Sequence, residues 1–359
     1  LTIRCSDTSG TIDMTNPRDG VARLTAYALN GHRVSQGVQI HARFLPTSGV
    51  QVSELILTLP EVPLVIAGVD KVLGSPITSG RFAGRVQYLH PAEDAEIWID
   101  GRLDEVNLAE LTAGVPLGPF HGRASIKVAG ARISGSVLTH LRGSAEVAGL
   151  ALAPFAALLG SPTLSGSASL SVDAIDIAQG RVNRIRLAGV IGDLAIQEWL
   201  RPVGRGSASG RLTIRIHNLD LEDERIRSAD IEVNLLPAPG RPGTIDRELI
   251  LGLAEKALDV TWPAALPERL VPERIEYAEC GVRLLVRDNR LRVLGTHGRG
   301  EDTILTLRLL GQAIPVIKEQ TRTIDLTPLL EDTWKRLRAY QAERLRRWFE
   351  TGRGPAGAG

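Results

Sequence analysis

Acid–base, nucleophilic and metal chemistry need histidines, carboxylates or thiols at particular spacings, and this 359-residue chain has few of them. Its histidines, at 32, 41, 90, 121, 140, 217 and 297, show no metal-ligand spacing. His217 sits on the polar side of a strand-like run and reads as a solvated surface residue. Glu93-Asp94 and Asp223-Glu224 could serve as general acid and base, but both lie in polar, loop-like stretches and read as turns. Two cysteines, Cys5 and Cys280, exclude a four-cysteine zinc site; they read as separate thiols, with a single bridge as the alternative. No Gly-x-Ser-x-Gly elbow, Ser-x-x-Lys, phosphate-binding Gly-x-x-x-x-Gly-Lys-Ser/Thr or His-Glu-x-x-His is present. Gly204-Arg-Gly206-Ser-Ala-Ser-Gly210 superficially suggests a dinucleotide loop, yet it leads into a strand and reads as a turn. The expectation is a protein with no catalytic residue, no metal and no cofactor.

Binding chemistry is the remaining possibility. A net charge of +1 supplies no basic excess to neutralise phosphates, which argues against nucleic acid as a partner. Aromatic residues make up only 4% of the chain, so stacking platforms are scarce. Trp98 and Trp199 are expected to pack at sheet–helix junctions, with stacking on a ligand as the alternative. One localised charge feature stands out near the end, Trp334-Lys-Arg-Leu-Arg-Ala-Tyr-Gln-Ala-Glu-Arg-Leu-Arg-Arg-Trp-Phe349. On a helix, Leu330, Trp334, Leu337, Leu345, Trp348 and Phe349 share one face, opposite Lys335, Arg336, Arg346 and Arg347. Trp334, Lys335, Arg336, Arg346, Arg347 and Trp348 are therefore candidates for contact with an anionic membrane surface. The alternative is that the apolar face caps a sheet and the charges are solvated.

Most of the chain alternates apolar and polar residues with period two. Leu212, Ile214 and Ile216 fall on one side of their run, with Thr213, Arg215 and His217 on the other. Ile97 with Ile99, Ile126 with Val128, and Ile231 with Val233 repeat the pattern, and Gly or Asn punctuates the runs at hairpin spacing. This is the signature of antiparallel strands with one dry and one wet face. Self-comparison adds order. Leu73-Gly-Ser-Pro-Ile-Thr-Ser-Gly80 returns as Leu159-Gly-Ser-Pro-Thr-Leu-Ser-Gly166, at an offset of 86 residues. Gly118–Val128 returns as Gly206–Ile216, and Gly101–Leu111 as Gly189–Trp199, both at 88. Two copies of a strand–helix–strand–helix unit follow, with short helices expected over Val62–Leu73, Asn107–Leu111, Leu152–Leu159 and Ala195–Leu200. The Gly-Ser-Pro steps read as helix stops, and such repeats form arrays with atypical ends. After Pro237–Gly243 an amphipathic helix is expected from Thr244 to about Leu258, and then strands from Glu273 to Ile317.

The octet ending in Ser-Gly, the Gly-punctuated strands and the terminal run Leu291–Gly295, Thr303–Gly311 and Ile324–Leu326 together resemble the repeats of AsmA-like envelope proteins. The resemblance implies a mainly β fold: an elongated, curled antiparallel repeat sheet, or β-groove, with short interspersed helices and a C-terminal amphipathic helix. Its organisation would be 1–61 as strands of a preceding unit, 62–149 and 150–236 as two groove repeats, 244–326 as a capping unit, 327–350 as the basic helix, and 351–359 as a disordered tail. It also implies a non-catalytic role in phospholipid traffic supporting outer-membrane biogenesis. The location would be the periplasm, with an inner-membrane anchor upstream of Leu1, and any envelope protein partner is unspecified. The groove candidates are then Ile97, Ile99, Ile126, Val128, Leu212, Ile214, Ile216, Ile231 and Val233. Alternation alone fits equally a face filled by the short helices, which would make a structural or interaction scaffold without lipid.

Overall fold

The computed structural model describes residues 4–14, 20–46, 50–67, 77–89, 96–113, 119–134, 137–156, 163–179, 181–200, 206–223, 225–252, 272–309, 311–319, 323–328 and 331. Among them the chain is mainly β, with eighteen antiparallel strands and a few short helical segments. They fall into two compact units, one of Leu1–Ala148 with Ser171–Ile185, the other of Gly149–Leu170 with Arg186–Gly352.

The first unit is a meander. Strands β1 (Cys5–Asp13), β2 (Gly20–Leu29), β3 (His32–Pro46), β4 (Val50–Pro63), β5 (Arg81–Leu89), β6 (Glu96–Asn107), β7 (Arg123–Ser134) and β8 (Val137–Ala151) each pair antiparallel with the next. Helix α1 (Leu64–Ala67) follows β4 and α2 (Leu108–Leu111) follows β6. After β9 (Ser167–Ala178) and β10 (Arg181–Ala195), the second unit continues with α3 (Ile196–Leu200), β11 (Arg211–Glu222) and β12 (Arg225–Leu236). Then come β13 (Gly243–Asp246), α4 (Arg247–Gly252), β14 (Arg274–Arg287), β15 (Arg290–Gly295), β16 (Thr303–Leu309), β17 (Gln312–Lys318) and β18 (Thr323–Asp325).

The repeating event is shorter than the sequence offset of 86 to 88 indicates. The backbone N–H groups of Leu64, Leu108 and Leu152 donate to the carbonyls of Gly80, Gly122 and Gly166, at 3.0, 3.0 and 3.2 Å. Those donors are spaced 44 residues apart, and α3 begins another 44 on, at Ile196. Three residues before the last three of these positions the backbone turns left-handed, with φ of 51° at Glu105, 63° at Gly149 and 58° at Asp193. The β6–β7 register slips at this point, between Leu103 and Val106. The strand therefore bulges, bends and delivers the chain into a helical turn. One unit is a hairpin plus one turn of helix, and the 88-residue sequence repeat holds two of them.

The repeated Ser-Gly does more than stop a helix. Ser79 Oγ accepts the N–H of Asn107 at 3.1 Å, Ser165 Oγ that of Ala195 at 3.2 Å, and Ser209 Oγ that of Thr244 at 2.8 Å. A carboxylate holds the same kind of turn. Glu110 accepts from the N–H and Oγ of Thr78 (2.7 and 2.8 Å) and of Ser79 (both 3.1 Å). Glu198 accepts the Ser165 N–H at 2.5 Å, and Asp246 accepts the N–H and Oγ of Ser207 at 2.6 and 2.7 Å. Four charge-assisted donors to one carboxylate outweigh its desolvation. Burial pushes the Glu110 carboxyl up, yet the Thr78 and Ser79 donors bring it below the usual range.

The expected helices need correction. Thr244 does not open a helix: Gly243–Asp246 is strand β13, paired with β14, and the helix begins at Arg247. Of the expected Leu152–Leu159 helix, Ala153–Phe155 form a 3-10 turn with Pro154 inside it. Of the expected Val62–Leu73 helix, Val62 and Pro63 instead close β4 and Leu64–Ala67 are helical; residues 68–73, 157–159 and the tail of the helix after Gly252 lie outside the described residues. Leu108–Leu111 and Ile196–Leu200 are helical, each one residue shorter than expected because Asn107 and Ala195 end strands, and Asn107 Oδ1 caps the N–H of Ala109 at 3.0 Å.

Strand β14 is shared between two layers of the second unit. Its first half pairs with β13 and β16, and its second half with β12 and β15. The layers part at Cys280–Gly281, where Gly281 is needed for space. A Cβ there would lie 2.3 Å from Asn234 Oδ1, 2.4 Å from Thr296 Oγ1 and 2.8 Å from His297 Nε2.

Candidate functional site

The strand registers arrange the sequence-predicted apolar residues into rows. In the first unit Leu24, Ile40, Leu57, Val86, Ile99, Ala131 and Leu141 stand opposite one another on successive strands, β2 to β8. A neighbouring row runs Ala22, Ala42, Leu55, Tyr88, Ile97 and Ile133. Ile126 faces Leu103, and Val128 faces Gly101. In the second unit Ile216, Ile231, Leu284 and Val293 form one row, and Ile214, Val233 and Val282 the next. Eight of the nine groove candidates stand opposite an aliphatic residue on a neighbouring strand, whereas Val128 stands between Gly101 and Gly143. Val86, Val282, Leu284 and Val293 join these rows; the alternation of Val282-Arg-Leu284 is legible in the sequence, although none of the four is among the groove candidates.

Burial along the face is graded. In the first unit the helical turns cover one end, where Val62, Leu64, Ile77, Phe82 and Val106 are buried and packed together. Away from that end Ile40, Val86, Ile97 and Ile99 are only half-buried. The second unit repeats the gradient: Leu212 and Leu235 are buried, while Ile214, Ile216, Ile231 and Val233 are half-buried. Leu212, at 9% exposure, sits in the dry part, while Val128, Leu57 and Ala131 are buried away from the helical end of the first unit, so the gradient there is interrupted. Among the described residues the helical turns leave part of the face half-buried. A short helical turn covers only the strand ends, because one turn rises about 5.4 Å while a 12-residue strand runs roughly 40 Å.

A recess of about 340 Å³ lies in the second unit. Leu212, Val233, Val282, Leu284, Val293 and Leu291 from β11, β12, β14 and β15 form part of its wall, with Leu305 of β16, Ile317 of β17 and Ile324 of β18. Cys280 also lines it, and burial pushes that thiol up to about 11. Cys5 is raised too, again by burial, and both cysteines are free.

The opposite face is polar and paired. The Arg283 guanidinium binds both carboxylate oxygens of Asp230, at 2.8 and 2.7 Å, and holds Asp230 below the usual carboxylate range. Arg142 pairs with Asp176 at 3.0 Å and, 44 residues on, Arg186 with Asp220 at 3.2 Å. His217 is hydrogen-bonded to Glu232 at 3.2 Å, and Asn234 Nδ2 donates to the same carboxylate at 2.6 Å. The Asn234 bond and then His217 keep Glu232 ionised to lower pH. Trp98 corrects an expectation: it is not at a sheet–helix junction. It lies on this polar face under the Arg132 guanidinium, 5.2 Å from the ring centroid, with Glu96 bonded to both. A larger cleft of about 1050 Å³ in the first unit is polar, and its Arg81 and Arg102 are already paired with Glu61 and Asp104.

The other candidate positions are quickly placed. Asp223 stands in a turn, and Gly206–Gly210 leads into β11. Glu93, Asp94, Glu224, the Trp199 side chain, and Trp334, Lys335, Arg336, Arg346, Arg347 and Trp348 lie outside the described residues. Among the described residues no cluster of three histidine, cysteine or acidic side chains could hold a metal, and no helix is long and apolar enough to cross a membrane. Comparison with known families, curated proteins and solved structures finds no match.

Proposed function

We propose that the chain is a non-catalytic lipid-binding module that carries phospholipid acyl chains on the apolar sheet face. The observation behind this reading is the set of half-buried aliphatic rows, which keeps hydrocarbon surface in contact with water across successive strands. A chain laid along such a row gains about 0.8 kcal/mol for each CH₂ it removes from water. The AsmA-like sequence pattern supports a setting in the bacterial envelope, in service of outer-membrane biogenesis. The basic segment at 334–348 would then meet an anionic membrane surface.

A second reading is a lipid-free scaffold, favoured by the dry packing around Leu64, Val62 and Val106. Strand β1 pairs with β2 and is exposed along nearly all its length, which suits recruitment of a partner strand. The two readings part on lipid transfer. Phosphatidylglycerol bearing a fluorescent acyl chain, offered in quenched vesicles, should be extracted by the wild type and much less by Ile214→Asp. Absence of extraction by well-folded wild-type protein would leave the scaffold.

A further inference from the structure

We infer that the recess at the β14 fold is a blind seat for the methyl end of one linear aliphatic chain, and that it sets the length of chain bound. The inference rests on the acyl-binding reading and says where a chain ends. Among the described residues its wall carries no charged side chain and no hydrogen-bonding side chain other than the Cys280 thiol. A water molecule needs two to four polar partners to be held, so water is a poor occupant. Only hydrocarbon matches such a lining, and about 340 Å³ lies at the small end of ligand-sized cavities. A phospholipid headgroup would lose its hydration there without compensation.

The recess is continuous with the candidate rows. Val233 and Leu284 in its wall stand directly opposite Ile214 and Ile231. The same wall includes Leu305 and Ile317, from the strands that pair with the first half of β14 or follow it. At this end the apolar face meets a second layer, so a chain lying along Ile214 and Ile231 stops against Leu305 and Ile317.

Saturated fatty acids from 8 to 18 carbons test this by calorimetric titration of the full chain. Affinity should rise about fourfold per added CH₂, the equivalent of ~0.8 kcal/mol, and flatten once the recess and row are filled. Val293→Phe should move the plateau to shorter chains. Ile324→Phe, on a half-buried position of β18, should do the same if Val293→Phe fails to fold. Methyl resonances of Leu305 and Ile324 should shift with ligand. Fatty acids that bind with an unmoved plateau and unshifted recess methyls would overturn the seat and leave acyl binding standing. No binding of any length would overturn both. If Trp334→Ala moves the recess methyls without ligand, the chain's own carboxy-terminal segment occupies the recess, and the proposal fails.

Discussion

Removing the Glu110 carboxylate tests the way the repeat holds itself together. Glu110→Ala deletes four acceptor interactions of 2.7 to 3.1 Å and leaves the Thr78 and Ser79 N–H groups without that partner. A hydrogen bond to a charged group contributes about 1.5–3 kcal/mol, but this site is partly open and water can replace part of the loss, so about 2 kcal/mol in all is expected. Glu110→Gln keeps an acceptor and should lose about half of that. The folded carboxyl is lowered relative to the unfolded one. Its contribution is therefore fully present above the unfolded value, about 4.3, and is lost as pH falls through the folded value. Hydrogen exchange read at the Ser79 amide follows the local opening without assuming that both units unfold together. Glu110→Ala should accelerate exchange at pH 7, about 30-fold for 2 kcal/mol, and the gap between variants should narrow as pH falls below the unfolded carboxyl value. Equal protection in wild type and Glu110→Ala, or a gap unchanged at low pH, would refute the clamp.

Other substitutions separate the dry and half-buried parts of the face. Leu212→Asp buries a charge and should cost at least about 3 kcal/mol in chemical denaturation, whereas Ile214→Asp, one row out, should cost roughly half as much. Gly281→Ala should destabilise by about 1–3 kcal/mol through contact with Asn234 and Thr296, and adding Asn234→Ala should recover part of it. Cys280, raised to about 11 by burial, should resist alkylation at pH 8 until the second unit unfolds, as mass spectrometry of the labelled thiols would show.

Period-two alternation was enough to read the strands, because side chains along a regular strand alternate between faces; it does not carry across a bulge, as in β7, where Ala131, three residues after Val128, joins the row of Ile99. Ile214 with Val233 and Ile216 with Ile231 meet as that parity requires. The 44-residue unit was hidden by its own chemistry. The third residue of the helical turn is Ile66, Glu110, Pro154 and Glu198 in order, so identities recur only at every second unit. Ser79 and Ser165 were visible as a repeat, but their partners lie about 30 residues away, on the far side of a hairpin. Thr244–Asp246 was mistaken for helix because a pairing with β14 overrode its local pattern. The recess was illegible for the same reason: its walls come from β11 through β18, and nothing local in sequence announces that β14 is shared.

Acyl-chain uptake by the half-buried rows can be read on the protein as purified. Native mass spectrometry of protein purified from a bacterial host without detergent, followed by lipid extraction, tests it most directly. Adducts of phospholipid mass are expected on the wild type and should be lost on Ile214→Asp while the fold is kept. A lipid-free mass from well-folded wild-type protein would contradict it.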